Sequence, residues 1–323
     1  MRKRKWLAVG LAVCLLLAGL SGCAGQQRQL RVTLVLKTVT EVAEFWGTLL
    51  SGVEKAAAEY GVELKVLTAP REVDIDEQIE LIRQVTAEKP DVMILSASDY
   101  DRCAEATEEA IAAGIGVVAV DTDVNAAGRA CFVGSNNYEV GLEMGRAMAS
   151  YLPEGGKVAV IQHMLTTTTG IDRTRGVIDA LTKAGNIEIL GSFCCDNSTD
   201  RAQSLTKELL EQTPDISGFV CTNEVCNVGA ANALVELGMG GKVFVVGCDN
   251  SQRQIAFLEQ NIIQAIVTQR PFNMGYIAVQ QAVEVASGEK TADFVEVPCV
   301  LITRENMYTQ ENQKLLFPLT GES

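Results

Sequence analysis

The chain has 323 residues, 47% of them hydrophobic, with 28 glycines, 7 prolines and a formal charge of −14. That is a globular composition long enough for two domains, each with its own core. An acid excess of this size excludes a protein that tracks nucleic-acid phosphates, which needs a basic face.

The first segment differs from everything after it. Arg2, Lys3, Arg4 and Lys5 form a basic n-region, and Trp6 to Leu20 form an apolar stretch too short for a comfortable membrane span. This is the pattern of a secretory signal peptide. It closes on Leu20-Ser21-Gly22-Cys23, which resembles the bacterial lipobox, where cleavage precedes a lipid-modified cysteine. Residues 1–22 are therefore read as a lipoprotein signal peptide, Cys23 as the lipidation site and 23–30 as a lipidated linker. Two acyl chains on that cysteine suffice for stable anchoring at the extracytoplasmic face of the membrane. Without residues 1–22 the charge becomes −18.

From residue 31 short β-branched runs alternate with helical periodicity. RVTLVLK predicts a strand. A helix follows with Leu49, Leu50, Val53, Ala57 and Tyr60 on one face and Gly61 as its stop. VELKVL is the next strand, and Ile75, Ile79, Ile82 and Val85 mark the next helix. VMIL, a helix ending near Gly114 and the strand GVVAVD complete a first series. The order then repeats as KVAVIQ, a helix to Gly185, IEILGSF, a helix to about Gln212, GFVCTN, a helix to Gly238 and KVFVVGCD. KPDVMIL echoes TPDISGFV, and AGIGVVAVD echoes GGKVFVVGCD. The expected fold is α/β, with two similar doubly wound parallel-sheet lobes.

Ligands of open α/β sheets lie outside the carboxyl ends of the strands. Asp121, Asn223 and Asp249 all stand there, at matching points of the two halves. Each of these residues also suits the cap of a following helix. Three at equivalent strand ends point to a shared site in a cleft between the lobes. Asp123, two residues beyond Asp121, is assigned to shaping the loop.

Other chemistries lack their motifs. No G-x-G-x-x-G follows a strand and no Walker loop is present, so no nucleotide cofactor is expected. There is no G-x-S-x-G elbow, and His163 is the single histidine, which excludes an imidazole-rich metal site. Removing Cys14 and Cys23 from the ten cysteines leaves eight, without the density of a disulfide-stapled domain. Cys194 and Cys195 are adjacent and no CxxC occurs. Cys221 and Cys248 suit neighbouring strands, so a disulfide or a metal pair there stays open beside the plainer reading of small buried thiols.

FVGSNNYEVG (132–141), DRTRG (172–176), CTNEVCNVGAANAL (221–234), VVGCDNS (245–251) and VTQRPFNMG (267–275) together resemble the periplasmic-binding-protein family of the ribose/sugar type. These are the solute-binding components of ABC importers. The resemblance spans residues 31–317 and implies a non-enzymatic, monomeric binding protein. It captures a sugar or polyol in an interdomain cleft and delivers it to the permease subunits in the membrane. It implies chain crossings near Ser135, Arg270 and Pro298. One lobe is then 31–135 with 271–297 and the other 136–270 with 298–317, joined by a three-crossing hinge that closes around ligand, with 318–323 as a tail.

The family pattern also assigns the contacts. Phe45 and Trp46 match the aromatic pair that packs on the C–H face of a sugar ring. Asp121 and Asp249 match carboxylates that accept from hydroxyls. Arg173 matches a guanidinium donor, and Asn223 and Gln269 match amides that donate and accept. Two departures speak against D-ribose itself: Thr122 replaces an arginine, and Lys37 ends the first strand in place of a small hydroxyl residue. A lysine there is also similar to receptors for autoinducer-2, so a signalling receptor or sensor-kinase input is the alternative. Lac-repressor relatives share this fold but need an N-terminal helix-turn-helix where this chain has a signal peptide. A carboxylate glycosidase is the remaining competitor, distinguished by turnover of chromogenic glycosides.

Overall fold

Two six-stranded sheets share one strand order, and the first takes its last edge strand from near the end of the chain. The computed structural model describes residues 28–38 and 44–317. Residues 1–22, expected to be a signal peptide, Cys23 and residues 318–323 lie outside the described residues, as does part of the loop after the first strand.

The first half runs β1 (Arg31–Leu36), α1 (Glu44–Tyr60), β2 (Glu63–Thr68), α2 (Ile75–Glu88), β3 (Val92–Leu95), α3 (Ala104–Ala112), β4 (Gly116–Val120) and β5 (Cys131–Gly134). The second runs α4 (Asn137–Tyr151), β6 (Gly156–Gln162), α5 (Thr168–Ala184), β7 (Ile187–Cys194), α6 (Thr199–Gln212), β8 (Ile216–Cys221), α7 (Glu224–Glu236), β9 (Phe244–Cys248), α8 (Gln252–Glu259) and β10 (Ala265–Thr268). The chain closes with α9 (Pro271–Ala286), β11 (Phe294–Glu296), β12 (Val300–Thr303) and α10 (Gln310–Leu316). The sheet orders are β11-β5-β4-β3-β1-β2 and β12-β10-β9-β8-β6-β7. All pairings are parallel except β10 with β12.

The sequence explains the layers. VMIL of β3 and the VVAV of β4 are buried throughout, as central parallel strands covered by helices on both faces must be. Edge strand β2 is half-covered only at Leu64 and Leu67 and exposed elsewhere. Helix α1 turns Phe45, Trp46, Leu49, Val53, Ala56 and Ala57 into the first core. Gly185, at φ 80°, ends α5 in the left-handed conformation that favours glycine.

The strands read from the sequence are all present, with ends differing by at most two residues. β5, β10, β11 and β12 were not among the sequence assignments, because runs of three or four residues carry little periodicity and take their strand character from their neighbours. The passages between the sheets fall after β5, after β10 and between β11 and β12.

One packing detail bears on the site. Helices α4 and α5 touch backbone to backbone, since a Cβ on Gly141 would lie 2.1 Å from the carbonyl oxygen of Arg173. The first half repeats the device where α9 meets α1, with a Cβ on Gly275 2.1 Å from the carbonyl oxygen of Leu49. Glycine alone permits these approaches, which fix the helices that carry Arg173 and the Phe45–Trp46 pair.

Candidate functional site: a polar cleft between the sheets

The aspartates that end β4 and β9 are built alike. Asp121 has φ 63° and Asp249 φ 71°, both in the left-handed region that non-glycine residues seldom enter. Asp121 donates its N–H to Val133 O at 3.0 Å, and Asp249 donates to Val267 O at 2.9 Å, so each is tied to the next strand of its sheet. The turned backbone lifts both carboxylates off the sheet ends into one cavity. Strain of this kind persists at functional sites because the surroundings hold it.

That cavity lies between the two sheets and spans about 390 Å³ when the solvent at its mouth is included. Lys37, Phe45, Trp46 and Asp121 line it from the first sheet's side, and Arg173, Asn223, Asp249 and Gln269 from the second's. All eight residues singled out in the sequence thus meet in one place.

Their hydrogen bonds define what each has left to offer. Arg173 is buried and donates from Nε to Asn137 Oδ1 and from Nη1 to Thr222 O, both at 2.9 Å. Its Nη2 has no partner among the described residues. Gln269 Nε2 donates to Asp249 Oδ1 at 2.5 Å. Asn223 caps α7, its Oδ1 accepting from Cys226 N at 3.0 Å, while its Nδ2 donates to Asn197 Oδ1 at 2.8 Å. Capping and cleft lining coexist in this one side chain. The rings of Phe45 and Trp46 meet edge to face with centroids 5.1 Å apart, and both belong to the core while bordering the cavity. Asp123 lies apart from them, paired with Arg129 at 2.6 Å and accepting from Val124 N at 2.8 Å, within its own loop.

Lys37 is the most constrained cation. Its Nζ sits 2.8 Å from Glu72 Oε1, 3.4 Å from Asp121 Oδ2 and 5.2 Å from the Trp46 ring centroid. Burial pulls its pKa down, but the Glu72 and Asp121 charges outweigh that and hold it above the ordinary lysine value. Glu72 Oε2 then accepts from Asn197 Nδ2 at 2.7 Å, so a continuous polar chain crosses the cleft from Lys37 to Asn223. Away from the cavity, Tyr100 N donates to Thr166 O at 2.9 Å and Asp123 N to Thr168 Oγ1 at 3.1 Å across the same divide.

Six lining residues escaped the sequence reading: Glu72, His163, Thr169, Asn197, Glu224 and Val225. His163 directly follows β6, so the strand-end rule was sufficient to find it. Its Nδ1 lies 2.8 Å from Thr222 Oγ1 and its Nε2 3.1 Å from Thr169 Oγ1. Burial, followed by the charges of Arg173 and Lys37, holds its imidazole well below the usual histidine range and therefore neutral. Glu72 and Asn197 sit on loops after the outer strands β2 and β7, and no local pattern marks them.

Among the described residues no group of three or more His, Cys, Asp or Glu side chains is placed to hold a metal ion. Cys221 and Cys248 lie on paired strands β8 and β9 as free thiols. No described helix is long and apolar enough to cross a membrane.

Two doubly wound lobes with aromatic rings, amides and opposed carboxylates between them define a binding protein that engulfs a small polar molecule. The chain belongs to the periplasmic binding protein family: the family model, a periplasmic binding protein domain, matches residues 33–290. Members are non-enzymatic substrate-binding components of ABC importers. The D-allose-binding periplasmic protein of Escherichia coli is 26% identical over 285 residues, covering 84% of this chain and 91% of its own. The D-ribose/D-allose-binding protein of Pseudomonas aeruginosa is 25% identical over 314 residues, covering 93% of this chain and 98% of its own. Among solved structures, a sugar transporter from Clostridium phytofermentans is 30% identical with a TM-score of 0.80, covering 85% of this chain and 99% of its own.

Proposed function

We propose that the chain captures a monosaccharide or related polyol between its lobes and delivers it to the permease of an ABC importer. The observation that carries this reading is the convergence of Asp121, Asp249, Arg173, Asn223, Gln269 and the Phe45–Trp46 pair on one inter-sheet cavity. A sugar has hydroxyls that donate and accept around its edge and an apolar C–H face. Carboxylates and amides satisfy the first and aromatic rings the second. Relatives named for D-allose and D-ribose support an aldose of that class. Lys37 and Glu72 together carry charge into the space beside Asp121, which favours a sugar other than D-ribose.

In this reading residues 31–135 with 271–297 form one lobe and 136–270 with 298–317 the other, moving about the three crossings as ligand enters. The mature protein acts as a monomer held at the extracytoplasmic membrane face through lipidated Cys23. Cys23→Ser is expected to shed it from the membrane fraction.

A thermal-shift screen over pentoses, hexoses, inositols and autoinducer-2 tests the function, since a ligand that binds only the folded state raises its melting temperature. One or a few aldoses are expected to do so. A response confined to autoinducer-2 would favour a signalling receptor instead.

A further inference from the structure

Helix α7 brings into the cleft one carboxyl group that the family pattern leaves without a role. Glu224 is the first residue of that helix and only 4% exposed. Its backbone N–H donates to Asp249 Oδ2 at 3.0 Å, which pins the helix start beside the second strand-end aspartate. Its side chain lines the same cavity as Asp121, Arg173 and Gln269. One oxygen, Oε2, is shielded from solvent and has no hydrogen-bond partner among the described residues. A buried ionised oxygen without a partner is strongly disfavoured, so the group must take a proton or meet a ligand.

The surroundings select the protonated form. The groups facing Glu224 are the Asp249 carboxylate at the end of β9, the Glu44 carboxylate and backbone at the start of α1, and the Ser251 hydroxyl before α8. No cation is among them. Lys37 is held by Glu72 and Asp121, Arg173 bonds to Asn137 and the Thr222 carbonyl, and His163 is neutral. Burial, then the charges of Asp249 and Glu44, push the Glu224 carboxyl up to about 8, against smaller opposing pulls from the Glu44 backbone and Ser251. At neutral pH it is an acid with one O–H to donate.

Apart from Arg173 Nη2, the amide and guanidinium donors that line the cavity are already engaged. Gln269 Nε2 is directed to Asp249, Asn223 Nδ2 to Asn197, and Asn197 Nδ2 to Glu72. A sugar hydroxyl can satisfy the carboxylates, but a sugar ring oxygen only accepts. We propose that Glu224 is a ligand-contacting residue that, as a neutral acid, donates a hydrogen bond to an acceptor oxygen of the bound sugar and helps set which sugar is taken. This rests on the sugar-binding reading above.

The test is calorimetric titration with D-ribose, D-allose and D-arabinose at pH 6.5 and 9.5, using the parent, Glu224→Gln and Glu224→Leu, with thermal unfolding to verify each fold. The parent is expected to bind at least one of these sugars, roughly ten- to thirtyfold more weakly at pH 9.5, where the acid is mostly ionised. Glu224→Gln keeps an N–H donor, so it should bind a few-fold more weakly than the parent at pH 6.5, with no change at pH 9.5. Glu224→Leu should bind poorly at both. Parent-like binding by Glu224→Leu overturns the proposal, and so does parent affinity that holds or rises at pH 9.5. If Glu224→Leu does not fold, the parent and Glu224→Gln pH profiles decide it alone. A folded parent that binds none of the three at pH 6.5 overturns the sugar assignment itself, and the role of Glu224 with it.

Discussion

Replacing Lys37 by methionine removes a buried charge while keeping a long unbranched stem against Trp46. Its ammonium lies 2.8 Å from Glu72 and 3.4 Å from Asp121, and all three side chains are at most 5% exposed. At an effective dielectric constant of about 20, those separations correspond to attractions of roughly 6 and 5 kcal/mol. Desolvating the three groups offsets most of that, so the pairs contribute little net stability when intact. Removing only the cation is another matter, because two like charges stay buried. Lys37→Met should destabilise the fold by about 3–5 kcal/mol. Glu72→Gln should cost less, about 1–2 kcal/mol, since Asp121 still faces the ammonium and a neutral amide can bond to Asn197. The double variant Lys37→Met/Glu72→Gln should be more stable than Lys37→Met alone, giving a coupling of about 1 kcal/mol or more. Urea unfolding followed by circular dichroism at pH 7 measures all three. A loss below 1 kcal/mol in Lys37→Met, or Glu72→Gln as the worse single variant, would refute the view of Lys37 as the counter-charge of this cluster.

The two strand-end aspartates should behave as a pair. Asp121→Asn and Asp249→Asn keep a residue that tolerates the left-handed backbone but lose the charge, and each should weaken sugar binding by about 1.5–3 kcal/mol in calorimetry. His163 predicts an acid-sensitive fold. Its folded imidazole is neutral and its unfolded one takes up a proton below about pH 6.5, so its contribution is complete above that pH and declines below it. The decline should approach about 1.4 kcal/mol per pH unit and be absent in His163→Gln, read from unfolding midpoints between pH 7 and 5.

Much of the site was legible because strand ends are. Asp121, Asn223 and Asp249 follow apolar runs whose length and β-branching mark them as strands, and the rule for open sheets places their side chains in the cleft. His163 obeys the same rule after KVAVIQ and was passed over because a lone histidine suggested no chemistry. Glu72 and Asn197 were not legible. They ride on loops after outer strands, and their meeting at 2.7 Å depends on how the two lobes sit against each other, which no local pattern encodes. Glu224 was hidden for another reason. Helix α7 is buried on nearly every face, so it lacks the apolar stripe that would have told inward from outward positions. Helix α2 shows a milder case: Ile82 and Val85 face the core as the periodicity implies, but so does Gln78, which is fully buried. It donates to Ser96 O at 2.9 Å and accepts from Ser98 N at 2.7 Å, bonds that only the folded β3 region supplies.

For a sugar bound between the lobes against the aromatic pair, the chain carries its own reporter. It has two tryptophans, Trp6 and Trp46, so a protein beginning at Cys23 retains Trp46 alone. That indole is 5% exposed, borders the cavity and lies under the Lys37 ammonium. Trp46 emission should be followed as the sugar found in the thermal-shift screen is added, alongside calorimetry on the same protein and on Trp46→Ala. The emission should change and saturate at the calorimetric affinity, and Trp46→Ala should fold with that affinity largely lost. Unaltered Trp46 emission at saturating sugar, with Trp46→Ala binding as tightly as the parent, would contradict a sugar seated against that pair.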